Sequence, residues 1–281
     1  MLTMMKTGSR HWLRGLLCGA LGLMAVQGHA ADLNICAGQN EMPFSNQNKE
    51  GFENAIAEVL GKGLNRKVNY VFWNDPRYAV RDFLDKNKCD VLLGVDAGDP
   101  RVLTTRPYYK TGYVFITRED REIDISSWND ELLKGRNFRI GVMPDSPGKV
   151  MLLQINRFDD MFDYFAEVQG YQSTRNKYVR VDPSRLVTDV ESKYNHAAML
   201  WAPEAARYVR DAKVPLKMVL VKDDAKKANG QKVPMQYEVV MGVRKGDNAL
   251  KDALNKVIDE KHSDIEAILK REGIPLIPLQ K

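Results

Sequence analysis

Leu33-Asn-Ile-Cys-Ala-Gly-Gln-Asn-Glu-Met-Pro-Phe-Ser45, followed by Gly51-Phe-Glu-Asn-Ala-Ile-Ala-Glu-Val-Leu60, decides the fold class. Leu33 and Ile35 alternate as in a short buried strand, and Gly38 and Pro43 break the next residues into a loop. Phe52, Ile56, Val59, Leu60 and Leu64 then recur at helical spacing, so one face of that helix packs on a sheet. In open α/β sheets, ligands sit beyond the carboxyl ends of the strands, where this loop falls. Asn40, Met42, Phe44 and Ser45 are therefore candidate cleft residues, against the plainer reading of a loop that only connects.

The pattern continues outward. Val68 to Trp73 reads as a second strand. Val80, Phe83 and Leu84 mark an amphipathic segment, and Asp90-Val-Leu-Leu-Gly-Val95 reads as a buried strand. This βαβαβ order implies a parallel sheet with helices on its faces. Asp96 to Tyr109 is a loop, and Gly112 to Thr117 one more strand. A second α/β series opens at Phe138-Arg-Ile-Gly-Val142 with a helix through Leu152, Leu153, Ile155 and Phe158. It goes on with a helix over 183–192, a strand over 197–200, a helix over 203–210 with proline at its start, and a strand over 216–221. After a polar loop, 223–232, the chain returns as a strand over 237–243 and one helical stretch over 248–271. The expected organisation is two α/β lobes, with residues 32–117 and 236–281 in a discontinuous first lobe and 118–235 in the second.

Residues 1–30 read as a leader: Lys6, Arg10 and Arg14, then an uncharged run from Gly15 to Val26, then Gly28-His-Ala30. That run is about 12 residues, short of the roughly 20 a membrane-spanning helix needs. Leu17 before Cys18 is not the small residue a lipoprotein signal places there. Cleavage after Ala30 would release a secreted periplasmic chain with no transmembrane segment. Removing the three leader cations from 42 leaves 39 against 37 acidic residues, a balance near +2 with no basic, aromatic-interleaved run for nucleic acid. Of three cysteines, Cys36 and Cys89 remain, an even number in an oxidising compartment, which favours a disulfide. Placement on neighbouring parallel strands could hold their Cα atoms beyond the roughly 7 Å limit for bridging, so two separate buried thiols are the other reading.

The chain resembles a known family at several points in order. They are Asn34-Ile-Cys-Ala, Met42-Pro-Phe-Ser, Gly51-Phe-Glu-Asn, Cys89-Asp-Val with Gly94-Val95, Leu103-Thr-Thr-Arg-Pro-Tyr-Tyr109, Tyr113-Val-Phe, Leu200-Trp-Ala-Pro203, Met241-Gly-Val-Arg244 and Gly273-Ile-Pro-Leu276. These segments are similar to the MxaJ/XoxJ proteins, a branch of the amino-acid-type periplasmic solute-binding proteins associated with methanol dehydrogenase. The resemblance implies a type II periplasmic binding-protein fold with the ligand cleft between the lobes. It also implies a non-catalytic accessory of a quinoprotein, acting in maturation, activation or complex formation of a dehydrogenase that uses pyrroloquinoline quinone and a metal ion. No cofactor or metal is expected on this chain itself. The alternative is the solute-binding subunit of an ABC transporter for a small polar or carboxylate ligand. The chain departs from the family pattern at Tyr194-Asn-His-Ala-Ala, where an acidic residue is expected.

A transport subunit normally grips the ligand carboxylate with an arginine from a threonine-rich loop. Here that loop is short and carries Asp96, Arg101, Thr104, Thr105, Arg106 and Tyr108. Arginine's planar fork suits a carboxylate, but either arginine could equally be paired locally at the surface. Asp145, Ser146 and Gly148 open a helix whose free N–H groups could hold an anion or be plainly capped. Trp73, Tyr108, Tyr109 and Trp201 could line a cleft or belong to the core. Trp73, Arg106 and Tyr108 are the first candidates for anchors to a protein partner. Enzymatic readings are poor: only His196 and His262 survive leader removal, and no His-Glu-x-x-His, Gly-x-Ser-x-Gly or phosphate-cradling loop is present. The acidic sets Asp96, Asp99 and Asp159, Asp160, Asp163 lack the spacing of a calcium loop.

Overall fold

The first strand, β1 (Leu33–Gly38), runs between two parallel neighbours, β4 (Val68–Trp73) and β5 (Val91–Asp96). These belong to a computed structural model that describes residues 31–161 and 181–280; the expected leader and Asp163 lie outside the described residues. The loop after β1 folds into a small hairpin, β2 (Asn40–Glu41) and β3 (Ser45–Asn46), and leads into α1 (Phe52–Leu64). The amphipathic segment after β4 is a π-helical turn, Ala79–Leu84. Beyond β5 come β6 (Leu103–Thr104), β7 (Tyr109–Arg118), β8 (Ile140–Val142) and α2 (Pro147–Gln154). They are followed by α3 (Pro183–Glu191), β9 (Ala197–Trp201), α4 (Ala202–Arg210), β10 (Leu216–Leu220) and β11 (Gln236–Val243). The helical stretch expected over 248–271 is two helices, α5 (Asn248–Glu260) and α6 (His262–Glu272), separated at Lys261. The break returns Ile265, Ile268 and Leu269 to the same core as Leu254, Val257 and Ile258.

The sheet order is β4-β1-β5-β11-β7-β9-β8, with β10 added to β7 and β6 to β11. Strand β7 changes partners along its length. Its first residues pair with β11, and from Tyr113 onward it lies between β9 and β10. The hydrophobic cores follow this division. Leu33, Ile35, Phe52, Ile56, Val91 and Leu254 share one, beneath α1, α5 and α6. Phe115, Trp128, Ile140, Leu186, Val190 and Met199 share another. A smaller cluster on the opposite face of the first strands holds Trp73, Val80, Leu84, Val95 and the Cys36–Cys89 disulfide, whose Cα atoms are 5.3 Å apart. The bridge is reached because the turn before β5 brings Cys89 beneath β1, within bonding range of Cys36 on that face. Packing of α1 on α5 is close enough that a Cβ at Gly63 would stand 2.5 Å from the Val257 side chain. We propose that the lobe boundary runs through β7 at Gly112, because residues 113–117, expected in the first lobe, pair with β9 and β10.

Candidate functional site

The loop between β1 and α1 is folded down onto β1. Asn40 is exposed opposite Asn46 in the hairpin, and Phe44 packs on Phe52 with ring centroids 5.2 Å apart. Ser45 is buried, its hydroxyl donating to the Gly38 carbonyl and accepting from the Gly38 N–H. Met42 is half-buried and contributes its carbonyl, which accepts from the Tyr208 hydroxyl. Trp73 lies in the small cluster behind the sheet, with its indole N–H unpartnered.

The clamp loop is spent internally. Arg101 forks onto Asp99, two residues away, with contacts of 2.6 to 3.1 Å. Arg106 reaches both carboxylate oxygens of Asp259 at 2.7 Å, and its N–H donates to Asn255. It faces a surface cavity of about 450 Å³ lined also by Pro107, Glu238, Ile258 and His262. Thr104 is a ladder residue opposite Gly242, while the buried Thr105 hydroxyl donates to the Arg106 carbonyl and accepts from Met241 N–H. Tyr108 is 1% exposed, and its hydroxyl accepts from Gly94 N–H, so it is walled into the core and offers no surface to a partner. At the start of α2, Ser146 donates to the Met143 carbonyl instead of capping the helix, and a Cβ at Gly148 would meet Val142 at 2.8 Å. Asp145 is exposed there, beside a cavity of about 500 Å³ lined also by Lys149, Lys227 and Lys232.

What the fold does bring together depends on a bulge in β5. Val240 faces Val95 but Gly242 faces Leu92, so two residues of β5, Leu93 and Gly94, oppose the single Met241. Gly94 takes φ +68°, a conformation that glycine adopts without strain. The extra residue reverses the alternation: Val91 and Leu93 point into the main core, whereas Val95 joins the small cluster behind the sheet. Asp96 is thereby turned onto the face it shares with Val239, its ladder partner. Val239 also opposes Tyr109, Tyr237 opposes Thr111, and Tyr113 opposes Trp201, which places all these side chains on one face. The Tyr113, Trp201 and Tyr237 rings form a triangle with centroid separations of 5.4, 5.9 and 6.3 Å. Of this group, Asp96, Tyr109 and Trp201 were candidates for a cleft; Tyr113 and Tyr237 were not. The isolated Gly94 in an apolar run was the available signal for the bulge.

Glu53, in the first turn of α1, fills the space a Gly94 side chain would take: a Cβ there would be 2.4 Å from its Oε1. Burial, and then the neighbouring Glu41 carboxylate, push its pKa up to about 8, so it is largely neutral at pH 7. Tyr109 is raised first by burial, then by Glu53 and Asp96. Asp96 itself is raised by burial and by repulsion from Asp99, with Arg101 offsetting part of this.

Helix α4 joins the two cores. Ala202 and Ala205 lie in the second core, Ala206 in the first. Arg207 forks onto Glu272 at 2.7 and 2.8 Å and donates to the Glu50 carbonyl, while Arg210 donates to the Arg271 carbonyl. Glu272 is buried, so this bidentate pair is a fixed joint between the C-terminal helix and the second core. Sequence reasoning did not identify it.

The bacterial extracellular solute-binding proteins, family 3, match residues 33–271. The chain belongs to that family. Within it, the chain is 40% identical over 256 residues to the protein MoxJ of Methylorubrum extorquens, covering 91% of this chain and 85% of that one. It is 39% identical over 264 residues to MoxJ of Paracoccus denitrificans, covering 92% and 95%. The crystal structure of MxaJ from Methlophaga aminisulfidivorans superposes with a TM-score of 0.82 at 42% identity, over 87% of this chain and all of that one. The fold is thus the mixed α/β fold of type II periplasmic binding proteins, and the MxaJ resemblance read from the motifs holds along the chain. Among the described residues, no helix is long and apolar enough to cross a membrane, and no group of three or more His, Cys, Asp or Glu side chains could hold a metal ion.

Proposed function

We propose that this protein is a non-catalytic periplasmic accessory of a methanol dehydrogenase that uses pyrroloquinoline quinone, acting in its maturation, activation or complex formation. The similarity to MoxJ and MxaJ supports the assignment to methanol oxidation, and the leader-like residues 1–30 support the compartment. The observation that carries the accessory reading over transport is the clamp loop: Arg101 is engaged by Asp99 and Arg106 by Asp259. A loop whose cations are already paired has none to offer a ligand carboxylate without first breaking those pairs. The transport reading draws on the family match and on the lysine-lined cavity at the start of α2.

Capture of dehydrogenase from periplasmic extract, run beside calorimetry against amino acids and small organic acids, tests this. The expected result is a retained dehydrogenase and no tight solute. Submicromolar solute binding with no dehydrogenase retained would establish the transport reading instead.

A further inference from the structure

The face created by the Gly94 bulge carries an exposed carboxylate beside aromatic rings. Among the described residues no cation pairs with Asp96, because the nearby Arg101 guanidinium is held by Asp99. Nor does any described lysine or arginine stack on Tyr113, Trp201 or Tyr237, although six such cation–ring contacts occur elsewhere on the described chain. All three rings are partly exposed, and their planes meet at 58°, 71° and 78°, so they form a corner rather than a flat stack.

The chemistry of this corner selects one class of ligand. Ring faces carry negative electrostatic potential and attract cations, and a carboxylate beside them supplies a full countercharge. An anion would be repelled by Asp96. A divalent metal ion would need several oxygen ligands, and among the described residues no group of three or more His, Cys, Asp or Glu side chains could hold one. A purely apolar group would cover Asp96 without pairing it, at a desolvation cost. A zwitterionic amino acid would leave its own carboxylate without a cation on the clamp loop. We propose that Asp96, Tyr113, Trp201 and Tyr237 form a binding site for a substituted ammonium group. The group is either that of a free amine or a lysine ammonium on the protein partner. The inference rests on the reading of this chain as a binding protein and names what its cleft grips.

The test uses the purified leader-free protein titrated with tetramethylammonium chloride in the millimolar range. Tryptophan fluorescence and calorimetry are the readouts, with sodium chloride at equal ionic strength and neutral tert-butanol as controls. Saturable binding of tetramethylammonium alone is expected. It should weaken by about three- to thirty-fold in Asp96→Asn and in Trp201→Leu, the span expected for losing one partner of a cation in a partly desolvated aromatic site. Asp96 is exposed, so the Asn variant remains informative if the Trp201 variant fails to fold. Absence of saturable binding, or an Asp96→Asn variant that titrates like the parent, overturns the site. Where binding is found, a drop in dehydrogenase capture at saturating tetramethylammonium assigns the ammonium to the partner, and unchanged capture assigns it to a free amine. Capture that persists without any cation binding removes this site while leaving the accessory function standing.

Discussion

The α4 joint and the Asp96 face handle charge in opposite ways. At the joint, Arg207 and Glu272 come from opposite cores and satisfy each other in a fork, with side-chain exposures of 18% and 9%. At the face, a carboxylate is turned outward beside three rings with no described cation on it. A buried charge that is fully paired holds structure, because removing one member strands the other in low dielectric. The Asp96 carboxylate carries its charge without a cation, at the desolvation cost that raises its pKa, and remains available to a ligand.

The largest expected effect follows from the joint. Arg207→Ala should lower unfolding stability by about 3 kcal/mol, measured by denaturant titration, because the buried Glu272 loses its bidentate partner and keeps only the longer 3.9 Å contact with Arg210. A loss below about 1 kcal/mol would place the pair with ordinary surface bridges and erase the contrast.

Glu53 sharpens the comparison, since it is half-buried and its carboxyl has no cation among the described residues. Its folded pKa of about 8 lies above the ordinary glutamate value of 4.5, so between these pH values the folded state binds more protons than the unfolded one. Stability should therefore fall as pH rises from 4.5 towards 8. Glu53→Gln should remove that slope, gaining stability progressively towards the top of the window and nothing below pH 4.5. Thermal unfolding of both proteins across the range checks the sign; a parent whose stability rises over the window would refute it.

Two surface changes should have the smallest effects. Arg106→Ala removes an exposed pair with Asp259 and should cost no more than about 1 kcal/mol in chemical denaturation. Asp96→Asn should leave stability within about 0.5 kcal/mol of the parent, because the carboxylate supports no pair. A large loss in Asp96→Asn would turn the open face into a structural one.

How much was legible depended on how far apart the partners lie in the chain. The β1–loop–α1 unit, the parallel start of the sheet and the late return of β11 all follow from apolar spacing over a few residues. The π-helical turn and the break at Lys261 were not visible, because Val80, Leu84 and the α5–α6 stripe show only which residues are buried. The Arg101 pairing with Asp99, two residues away, was within reach of local reasoning. The Arg106 pairing with Asp259 spans 153 residues and that of Arg207 with Glu272 spans 65, so no local pattern reports them. Tyr108 illustrates the same limit in the other direction: an aromatic after a proline in a loop reads as an anchor, yet its ring closes the core under Gly94.

By itself the sequence determined the α/β class, the candidate loops and the family resemblance, because each is carried by residue type and short-range order. Tertiary structure alone decided which charges are already paired and which side of the sheet Asp96 occupies. Pairing depends on which distant segments the sheet brings side by side. The facing of Asp96 turns on one extra residue at Gly94, since in a strand of period two a single insertion sends every later side chain to the opposite face.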